Sequence, residues 1–343
     1  MGKVAMLTGG GDCPGLNAVI AAATRTLEGA GLDAVGFLEG WKGPIEGNIC
    51  DLNKKNTAHI IGTGGTILGT SRTNPYKKEG AVAKIKDNFK KLGIDALIAI
   101  GGEDTLGVAT KLYAQEKMPV VGVPKTIDND LSATDFTFGF DTAVNIATEA
   151  IDRVHTTAAS HRRVLVVEVM GRHAGWIAAY AGICGDADVT LVPEVKANVD
   201  AIAATLKKNR SEGKKYNIVV VSEGVEFEQT GMVTQEKELD AFGHVRLGGV
   251  GDALAKMLEK ATGYESRSMV LGHLQRGGNP SAFDRMLGTR FGVKAAQLVI
   301  AKDFGKMAAL KGNDIVGVPL KDATGELKVL NDDFKNLVNL FSK

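Results

Sequence analysis

A short polar segment that follows an apolar run carries the residue types required for phosphoryl transfer. Residues 119–123 are strand-like, and residues 124–130 read PKTIDND. Phosphoryl transfer requires cations on the migrating group, a divalent metal held by carboxylates, and a carboxylate base for the accepting hydroxyl. Lys125, Asp128 and Asp130 offer an ammonium and two carboxylates for those tasks. Taken alone, the same residues also fit a polar loop whose carboxylates cap the next turn, which is the commoner role.

A glycine-rich turn near the start of the chain suits the binding of a phosphate. Residues 8–17 read TGGGDCPGLN, so backbone N–H groups at Gly10 and Gly11 can approach an anion at the start of the next helix. The spacing is not GxGxxG, and Asp12 would repel the pyrophosphate of a dinucleotide, which disfavours a nicotinamide cofactor. The same glycines also fit a tight strand-to-helix turn that binds nothing.

Two further glycine-rich segments add a cation and a carboxylate pair. Residues 64–72 read GGTILGTSR and end in Arg72, whose guanidinium fork suits phosphate oxygens. Residues 101–106 read GGEDTL, so Glu103 and Asp104 stand at a predicted helix start. They either cap that helix or share one Mg²⁺ with Asp128 and Asp130, because Mg²⁺ prefers oxygen ligands and keeps water and substrate phosphate in its shell.

A second group of polar residues lies at strand ends in the later part of the chain. Its members are Arg162, Arg163, Arg172, His173, Glu223, Arg267, His273 and Arg276. Several arginines with one carboxylate are the complement expected for a sugar phosphate, with arginines on the phosphate and the carboxylate on hydroxyls.

The elements that position these residues alternate between strand-like and helical patterns. Strand-like runs at residues 4–7, 96–100, 164–169 and 218–221 are separated by helical periodicity, which predicts an α/β fold with mostly parallel, doubly wound sheets. Ligands of such sheets bind at the carboxyl ends of the strands. We expect a domain boundary near residue 140. A strand at 269–274 and a helix from Asp284 resemble the first unit, so the chain is expected to cross between domains more than once.

Composition limits the classes of function. At 343 residues two domains are expected, and 44% hydrophobic residues, 24% charged residues and a net charge of +1 favour small-molecule chemistry over nucleic acid or an anionic membrane. No apolar stretch reaches the roughly 18 residues that a membrane span needs. Three widely spaced cysteines fit reduced thiols in a cytoplasmic protein, with Cys13 a weak candidate for a reactive thiol. The polar segment 226–245 is expected to be a surface excursion.

Seven segments in order resemble the 6-phosphofructokinase family. They read GGGDCPGLNAVI, GGTILGTSR, GGEDT, PKTIDND, VEVMGR, VSEG and VLGHLQRGG, and the resemblance runs from about residue 3 to beyond residue 290. It implies two Rossmann-like three-layer domains with the active site between them. The donor-binding domain would comprise residues 1–139 and about 275–326, and the sugar-phosphate-binding domain residues 140–274 and about 327–343.

The resemblance also implies a role for each candidate residue. Asp128 would deprotonate the 1-hydroxyl of fructose 6-phosphate, Thr126 would lie beside the transferred group, Arg72 would neutralise its charge, and Glu103 would hold Mg²⁺. The residues implied to bind the sugar phosphate are Thr126, Asp128, Met170, Gly171, Arg172, Glu223, His273 and Arg276, with Arg163 and Arg267 from a neighbouring subunit. A homodimer or homotetramer with shared active sites is therefore expected.

The choice of phosphoryl donor depends on two positions. ATP-using bacterial relatives typically carry glycine where this chain has Asp104 and Lys125, and the Asp and Lys pair resembles the pyrophosphate-dependent branch of the family. The aspartate would crowd and repel an α-phosphate, whereas the lysine can place a point charge on the leaving phosphate. Pyrophosphate is the expected donor. The alternatives are an ATP-dependent phosphofructokinase, a noncatalytic sugar-phosphate-binding regulatory subunit and, from the fold pattern alone, a nicotinamide oxidoreductase.

Overall fold

The computed structural model describes residues 2–228, 231–232, 234–239 and 245–342. The chain divides into two compact units. Unit 1 comprises Met1–Thr142 and Arg276–Leu327, and unit 2 comprises Ala143–Gln275 and Lys328–Lys343. The chain therefore passes from one unit to the other three times, after residues 142, 275 and 327.

The strands and helices follow each other along the chain in the alternation that the sequence predicts. The strands are β1 (Lys3–Thr8), β2 (Asp33–Phe37), β3 (Ile49–Leu52), β4 (Ala96–Gly101), β5 (Val120–Pro124), β6 (Val164–Val169), β7 (Val189–Leu191), β8 (Asn217–Ser222), β9 (Glu226–Phe227), β10 (Gly231–Met232), β11 (Thr234–Leu239), β12 (Val245–Leu247), β13 (Ser266–Val270), β14 (Lys306–Lys311) and β15 (Asp314–Pro319). The α-helices are α1 (Leu16–Gly29), α2 (Lys42–Glu46), α3 (Ala81–Leu92), α4 (Glu103–Glu116), α5 (Phe140–His161), α6 (Trp176–Cys184), α7 (Val199–Ser211), α8 (Val250–Thr262), α9 (Ala282–Ile300) and α10 (Asp332–Phe341). Short 3₁₀ helices cover Pro75–Lys77, Gly272–Arg276 and Leu320–Ala323.

Unit 1 is built on a seven-stranded sheet of order β15-β14-β5-β4-β1-β2-β3. Its five inner strands run parallel, and the edge strands β3 and β15 are antiparallel to their neighbours. The middle strands β1, β4 and β5 are mostly apolar and, apart from Lys3, buried, because a parallel sheet is covered on both faces. Helix α9 packs closely on α1: a Cβ added at Gly288 would lie 2.9 Å from the carbonyl oxygen of Gly15. The small residue lets the two helices approach.

Unit 2 is built on a four-stranded parallel sheet of order β13-β6-β8-β7. Its core is a cluster of buried aliphatic side chains from this sheet and from helices α7 and α8, with Phe227 among them. The α/β fold class with mostly parallel sheets is confirmed.

The expectation for the strand at 269–274 is wrong in both its bounds and its sheet. The strand is β13, which spans Ser266–Val270 and pairs with β6 in unit 2 rather than joining unit 1. It ends where it does because Gly272 has φ +47°, a left-handed conformation that breaks an extended chain and begins the 3₁₀ helix. The helix expected from Asp284 is α9, which lies in unit 1.

Part of the polar segment 226–245 lies outside the described residues, namely 229–230, 233 and 240–244. The remainder forms two antiparallel strand pairs, β9 with β10 and β11 with β12. Within the described part of the chain, no helix combines the length and the apolar character needed to cross a membrane.

The first turns of α5 and α9 cap each other in unit 1 through a buried carboxylate. Asp284 is fully buried, and its Oδ2 accepts hydrogen bonds from the backbone N–H of Thr142 at 2.8 Å and from the Thr142 hydroxyl at 2.6 Å. Ser281 caps α9 and donates its hydroxyl to Asp141 at 2.5 Å. Burial raises the pKa of Asp284 to about 6. At neutral pH, Asp284 is therefore mainly in its ionised form although it is buried.

Asp284→Asn should change how stability depends on pH. Because the folded-state pKa of about 6 exceeds the ordinary value of 3.8, the folded protein holds this proton more tightly, and the free energy of unfolding falls as pH rises between those values. The fall attributable to Asp284 is ~3 kcal/mol. Urea unfolding of both proteins from pH 4 to pH 7.5 should show the wild-type minus variant difference decreasing with pH. A difference that does not vary would contradict the assignment, and Asp200→Asn, at an exposed position, is the control.

Candidate active site

The carboxyl ends of three neighbouring strands bring the predicted donor-site residues to one edge of the unit 1 sheet. Strands β1, β4 and β5 are adjacent and parallel, so the loops that follow them begin at the same edge. These loops carry Gly10 and Gly11, Glu103 and Asp104, and the segment 125–130. The expectation that the motifs lie at strand ends is met here because parallel pairing aligns the ends.

Lys125 joins these loops. It is buried, its Nζ donates a hydrogen bond to the carbonyl oxygen of Gly11, and its backbone N–H donates to the carbonyl oxygen of Gly101 at 3.0 Å. A Cβ added at Gly10 would lie 3.6 Å from Nζ. Burial lowers the pKa of Lys125, while Asp12 and Asp128 act in the opposite direction. The side chain thus brings its amino group to the first glycine-rich loop.

Arg276 also contacts the first glycine-rich loop. Its Nη1 donates to the carbonyl oxygen of Asp12 at 3.2 Å, and a Cβ added at Gly11 would lie 2.5 Å from that same nitrogen. The guanidinium occupies the space that a side chain at Gly11 would need. Arg276 therefore belongs to unit 1, whereas the other predicted sugar-phosphate residues of this segment, such as His273, belong to unit 2.

The segment that carries Arg72 is fastened to the same loop. The Thr70 hydroxyl donates to the carbonyl oxygen of Gly10 at 2.5 Å, and the backbone N–H of Gly10 donates to the carbonyl oxygen of Ser71 at 3.4 Å. Thr8, the last residue of β1, shares a hydroxyl contact of 2.9 Å with Thr66. These contacts place the exposed Arg72 directly beside the glycine-rich loop.

Asp128 is held in a loop of fixed shape. The side chain of Asn129 accepts the backbone N–H of Thr137 at 3.1 Å, and the Thr137 hydroxyl donates to the carbonyl oxygen of Thr126 at 2.8 Å. The backbone N–H of Asp128 donates to the Thr126 hydroxyl at 3.1 Å. Asn129 has φ +52°, a left-handed conformation that asparagine tolerates better than most residues.

One oxygen of Asp128 is buried without a hydrogen-bond partner, as are several other polar atoms, among them Oδ1 of Asp284. The residue is only 4% exposed, and its Oδ1 has no hydrogen-bond partner among the described residues. A buried polar atom without a partner is costly, so such atoms are rare and call for an explanation such as catalysis. An unpartnered carboxylate oxygen on a fixed loop is suited to accepting a proton from a bound hydroxyl.

Glu103 and Asp104 lie in the first turn of α4, at the helix start that the sequence predicts. Glu103 is exposed and Asp104 is half-buried. Among the residues that the structure describes, no group of three or more His, Cys, Asp or Glu side chains is arranged to hold a metal ion. Magnesium needs only one or two protein carboxylates when water and substrate phosphates complete its shell, so an exposed Glu103 fits such an ion.

Cys13 is not a reactive thiol. It is fully buried, its Sγ lies 3.7 Å from the carbonyl oxygen of Phe138, and burial raises its pKa to about 12. A thiol must ionise to act as a nucleophile. The weak expectation of a reactive Cys13 is therefore wrong, because the side chain packs beneath the glycine-rich loop rather than facing solvent.

The turn after β6 collects a second group of predicted residues in unit 2. The backbone N–H of Arg172 donates to Oε1 of Glu223 at 3.2 Å, and the backbone N–H of Glu223 donates to the carbonyl oxygen of Val169 at 2.9 Å. Gly171 has φ +146°, and an added Cβ would lie 2.6 Å from the carbonyl oxygen of Ala174. Met170, Gly171, Arg172 and Glu223 thus lie together at the carboxyl edge of the unit 2 sheet.

Arg163 and Arg267 lie at the opposite edge of that sheet. Arg163 directly precedes β6. Arg267 lies in β13, where it is paired with Leu165 of β6. Glu265 bridges them, with Oε2 2.7 Å from Nε of Arg163 and Oε1 2.7 Å from Nη2 of Arg267, and Arg163 lowers the pKa of Glu265. The six residues of β6 span ~20 Å, so these arginines are remote from Met170 of the same chain.

Comparisons with known proteins identify the relatives of this chain. The family profile described as phosphofructokinase matches residues 3–299. The chain belongs to the phosphofructokinase family. It is 56% identical over 340 residues to a pyrophosphate–fructose 6-phosphate 1-phosphotransferase of Streptomyces coelicolor, covering 99% of each chain. It is 48% identical over 328 residues to an ATP-dependent 6-phosphofructokinase of Corynebacterium efficiens, covering 95% of this chain and 94% of the relative.

A solved structure agrees with the family assignment. The phosphofructokinase of Pichia pastoris in the T-state matches with a TM-score of 0.81 and 30% identity. The match covers 99% of this chain and 37% of that chain, so this chain spans little more than a third of that longer protein. The resemblance predicted from seven ordered motifs is confirmed.

Proposed function

We propose that this protein transfers a phosphoryl group from pyrophosphate to the 1-hydroxyl of fructose 6-phosphate, giving fructose 1,6-bisphosphate and orthophosphate. The observation that carries the proposal is the buried carboxylate of Asp128, whose Oδ1 has no partner and whose loop adjoins the buried ammonium of Lys125. A base and a cation so arranged match phosphoryl transfer to a hydroxyl. The Streptomyces coelicolor relative, which carries the name of this reaction, supports it.

The residues of unit 1 divide the chemical tasks among them. Asp128 takes the proton of the 1-hydroxyl while Thr126 lies beside the transferred group. Arg72 neutralises charge on the migrating phosphoryl, and Lys125 stabilises the orthophosphate that leaves. Glu103 would hold Mg²⁺, which neutralises charge on the donor oxygens.

The residues of unit 2 bind the sugar phosphate. Arg172 and His273 supply basic groups, Glu223 accepts sugar hydroxyls, and the backbone at Met170 and Gly171 lies against the sugar. Arg276 supplies a further guanidinium to the phosphate.

Self-association completes the site. Along the sheet, Arg163 lies ~23 Å and Arg267 ~17 Å from the Met170 turn, which places both away from the sugar site of their own chain. They serve the site of a neighbouring subunit in a homodimer or homotetramer. Their ion pairs with the shared Glu265 keep both guanidinium groups on one exposed edge.

A second candidate is ATP-dependent phosphorylation of the same sugar phosphate, which the 48% identity to the Corynebacterium efficiens relative favours. Asp104 argues against it, because a carboxylate in the first turn of α4 would repel the additional phosphate and nucleoside of ATP. A noncatalytic regulatory subunit is disfavoured because Asp128, Lys125 and Arg72 are all present.

Donor preference is expected to follow Asp104 and Lys125. Asp104→Gly should raise kcat/KM for ATP because it removes a repulsive charge. Lys125→Gly should lower kcat/KM for pyrophosphate, because the loss of a fixed cation removes about 2–4 kcal/mol of transition-state stabilisation. The double variant should favour ATP most. Assays of all four proteins with each donor, fructose 6-phosphate and Mg²⁺ measure this, with Lys117→Gly at the exposed end of α4 as the control. An unmutated enzyme that prefers ATP would overturn the donor assignment.

Asp128→Asn keeps the shape of the side chain and removes its ability to accept a proton. Turnover should fall about a hundredfold or more, while the affinity for fructose 6-phosphate changes little. Steady-state kinetics together with calorimetric binding of the sugar phosphate would separate the two effects. Asp51→Ser, at an exposed position in β3, should leave both unchanged. Near-normal turnover of folded Asp128→Asn would exclude Asp128 as the base.

Shared sites should allow two inactive variants to restore each other. Subunit exchange between Asp128→Asn and Arg163→Ala protein would create one site with an intact Asp128 and an intact Arg163, so part of the activity should return. Exchange between Asp128→Asn and Lys125→Gly protein is the matched control and should restore none, because both defects lie in the same unit. Failure of the first mixture, once mixed oligomers are demonstrated, argues against shared sites.

A further inference from the structure

Asn17 is a buried polar side chain in the first turn of α1, and none of the roles assigned above includes it. It closes the glycine-rich turn of residues 8–17 and is 1% exposed. Its Nδ2 donates to the carbonyl oxygens of Thr63 and Gly64 at 3.1 and 3.2 Å, and its Oδ1 accepts the backbone N–H of Ile67 at 2.9 Å. Both N–H bonds of the amide and its oxygen are therefore engaged by one short stretch of chain.

That stretch, residues 63–67, belongs to neither a helix nor a strand. No ladder of backbone hydrogen bonds fixes its path, so its polar backbone groups depend on side chains for partners. Gly65 has φ +65°, and the chain turns there between the two carbonyl groups and the N–H that Asn17 holds. The carboxamide of Asn17 thus supplies the contacts that hold this turn against α1.

The same stretch leads directly into Arg72. The buried side chain of Leu68 packs on β2, where a Cβ added at Gly36 would lie 2.2 Å from its Cδ2. The Thr70 hydroxyl then donates to the carbonyl oxygen of Gly10 at 2.5 Å. Residues 63–72, which we call the Arg72 segment, are therefore held near their start by Asn17 and near their end by Gly10. Both anchors belong to the first glycine-rich turn, so the place of Arg72 is set relative to that turn.

We propose that Asn17 is a positioning residue for phosphoryl transfer: its carboxamide holds the start of the Arg72 segment to α1, so that the Arg72 guanidinium stays beside the first glycine-rich loop. The inference rests on the proposed function, because it takes Arg72 as the cation that acts on the migrating phosphoryl group. Arg72 is exposed, so its own side chain is not fixed by packing, and its backbone must be held from elsewhere. A charge stabilises a transition state only where it is held in place beforehand.

Steady-state assays of the intact protein with fructose 6-phosphate, pyrophosphate and Mg²⁺ test this. Asn17→Leu keeps the branched shape of the side chain and loses all three hydrogen bonds, so kcat should fall about tenfold or more. Asn17→Asp keeps the acceptor for Ile67 and loses both donors, so kcat should fall by a smaller factor of at least about threefold. The KM for fructose 6-phosphate should stay within about threefold in both variants, because Asn17 contacts none of the residues proposed to bind the sugar in unit 2.

A double-mutant cycle with Arg72 separates positioning from general destabilisation. Once the guanidinium is removed, Asn17 has nothing left to position, so adding Asn17→Leu to Arg72→Ala should lower kcat by less than about twofold. Losses that multiply would show that Asn17 acts independently of Arg72, which overturns the inference.

Hydrogen–deuterium exchange gives a second measurement that needs no turnover. The backbone amides of the Arg72 segment should exchange faster in Asn17→Leu, with the N–H of Ile67 among them, because its acceptor is lost. Unchanged exchange across residues 63–72 would contradict the inference even if kcat had fallen.

Asn88→Leu is the matched control. This half-buried asparagine of α3 also donates from Nδ2 to two backbone carbonyl oxygens, those of Pro44 and Ile45 at 2.9 and 3.0 Å, but these belong to α2 rather than to the Arg72 segment. Its loss should lower Tm without changing kcat. Should Asn17→Leu fail to fold, Asn17→Asp carries the test.

The failure of the inference is distinct from the failure of the proposed function. A folded Asn17 variant whose kcat stays within about twofold of the unmutated value overturns the inference alone. If the unmutated protein transfers no phosphoryl group to fructose 6-phosphate from either pyrophosphate or ATP, the proposed function falls and the inference with it.

Discussion

The buried amino group of Lys125 is the constraint around which the donor side of unit 1 is arranged. A polar group removed from water must find a partner nearby, and here it is the carbonyl oxygen of Gly11, while Asp12 and Asp128 act against the lowering of the Lys125 pKa by burial. The first glycine-rich loop must therefore approach the end of β5, which the glycines permit. Arg276 follows from the same arrangement, because its guanidinium lies over Gly11, where a side chain would displace it.

The sequence was informative wherever a property depended on neighbouring residues. Apolar runs, most of them followed by a turn that contains glycine, located β1, β4, β5, β6 and β8 and the loops after them. It was weaker where a position depends on distant parts of the chain. Whether β13 joins unit 1 or unit 2 is decided by its pairing with β6, more than 90 residues earlier, and no local pattern records that choice. Likewise, nothing in the sequence marks Thr137 as the support of the Asp128 loop.

The predicted residues also differ in how the structure groups them. The residues of the loops after β1, β4 and β5 share one edge of their sheet, and Met170, Arg172 and Glu223 share the corresponding edge of the other. Arg163 and Arg267 do not, because they stand at the amino ends of their strands. A motif shows that a residue belongs to a pattern, but only strand direction shows which end of the sheet it occupies.

The three passages of the chain between the units set an order in which the protein can fold as it is synthesised. Every strand of the unit 2 sheet lies within residues 143–275, which leave the ribosome before residues 276–327 bring α9, β14 and β15 to unit 1. Until those residues emerge, β5 has no β14 beside it and α1 lacks the helix that covers it. The unit 1 sheet is thus begun first but completed after the unit 2 sheet, and the nascent chain carries an unpaired sheet edge that is prone to aggregation during that interval.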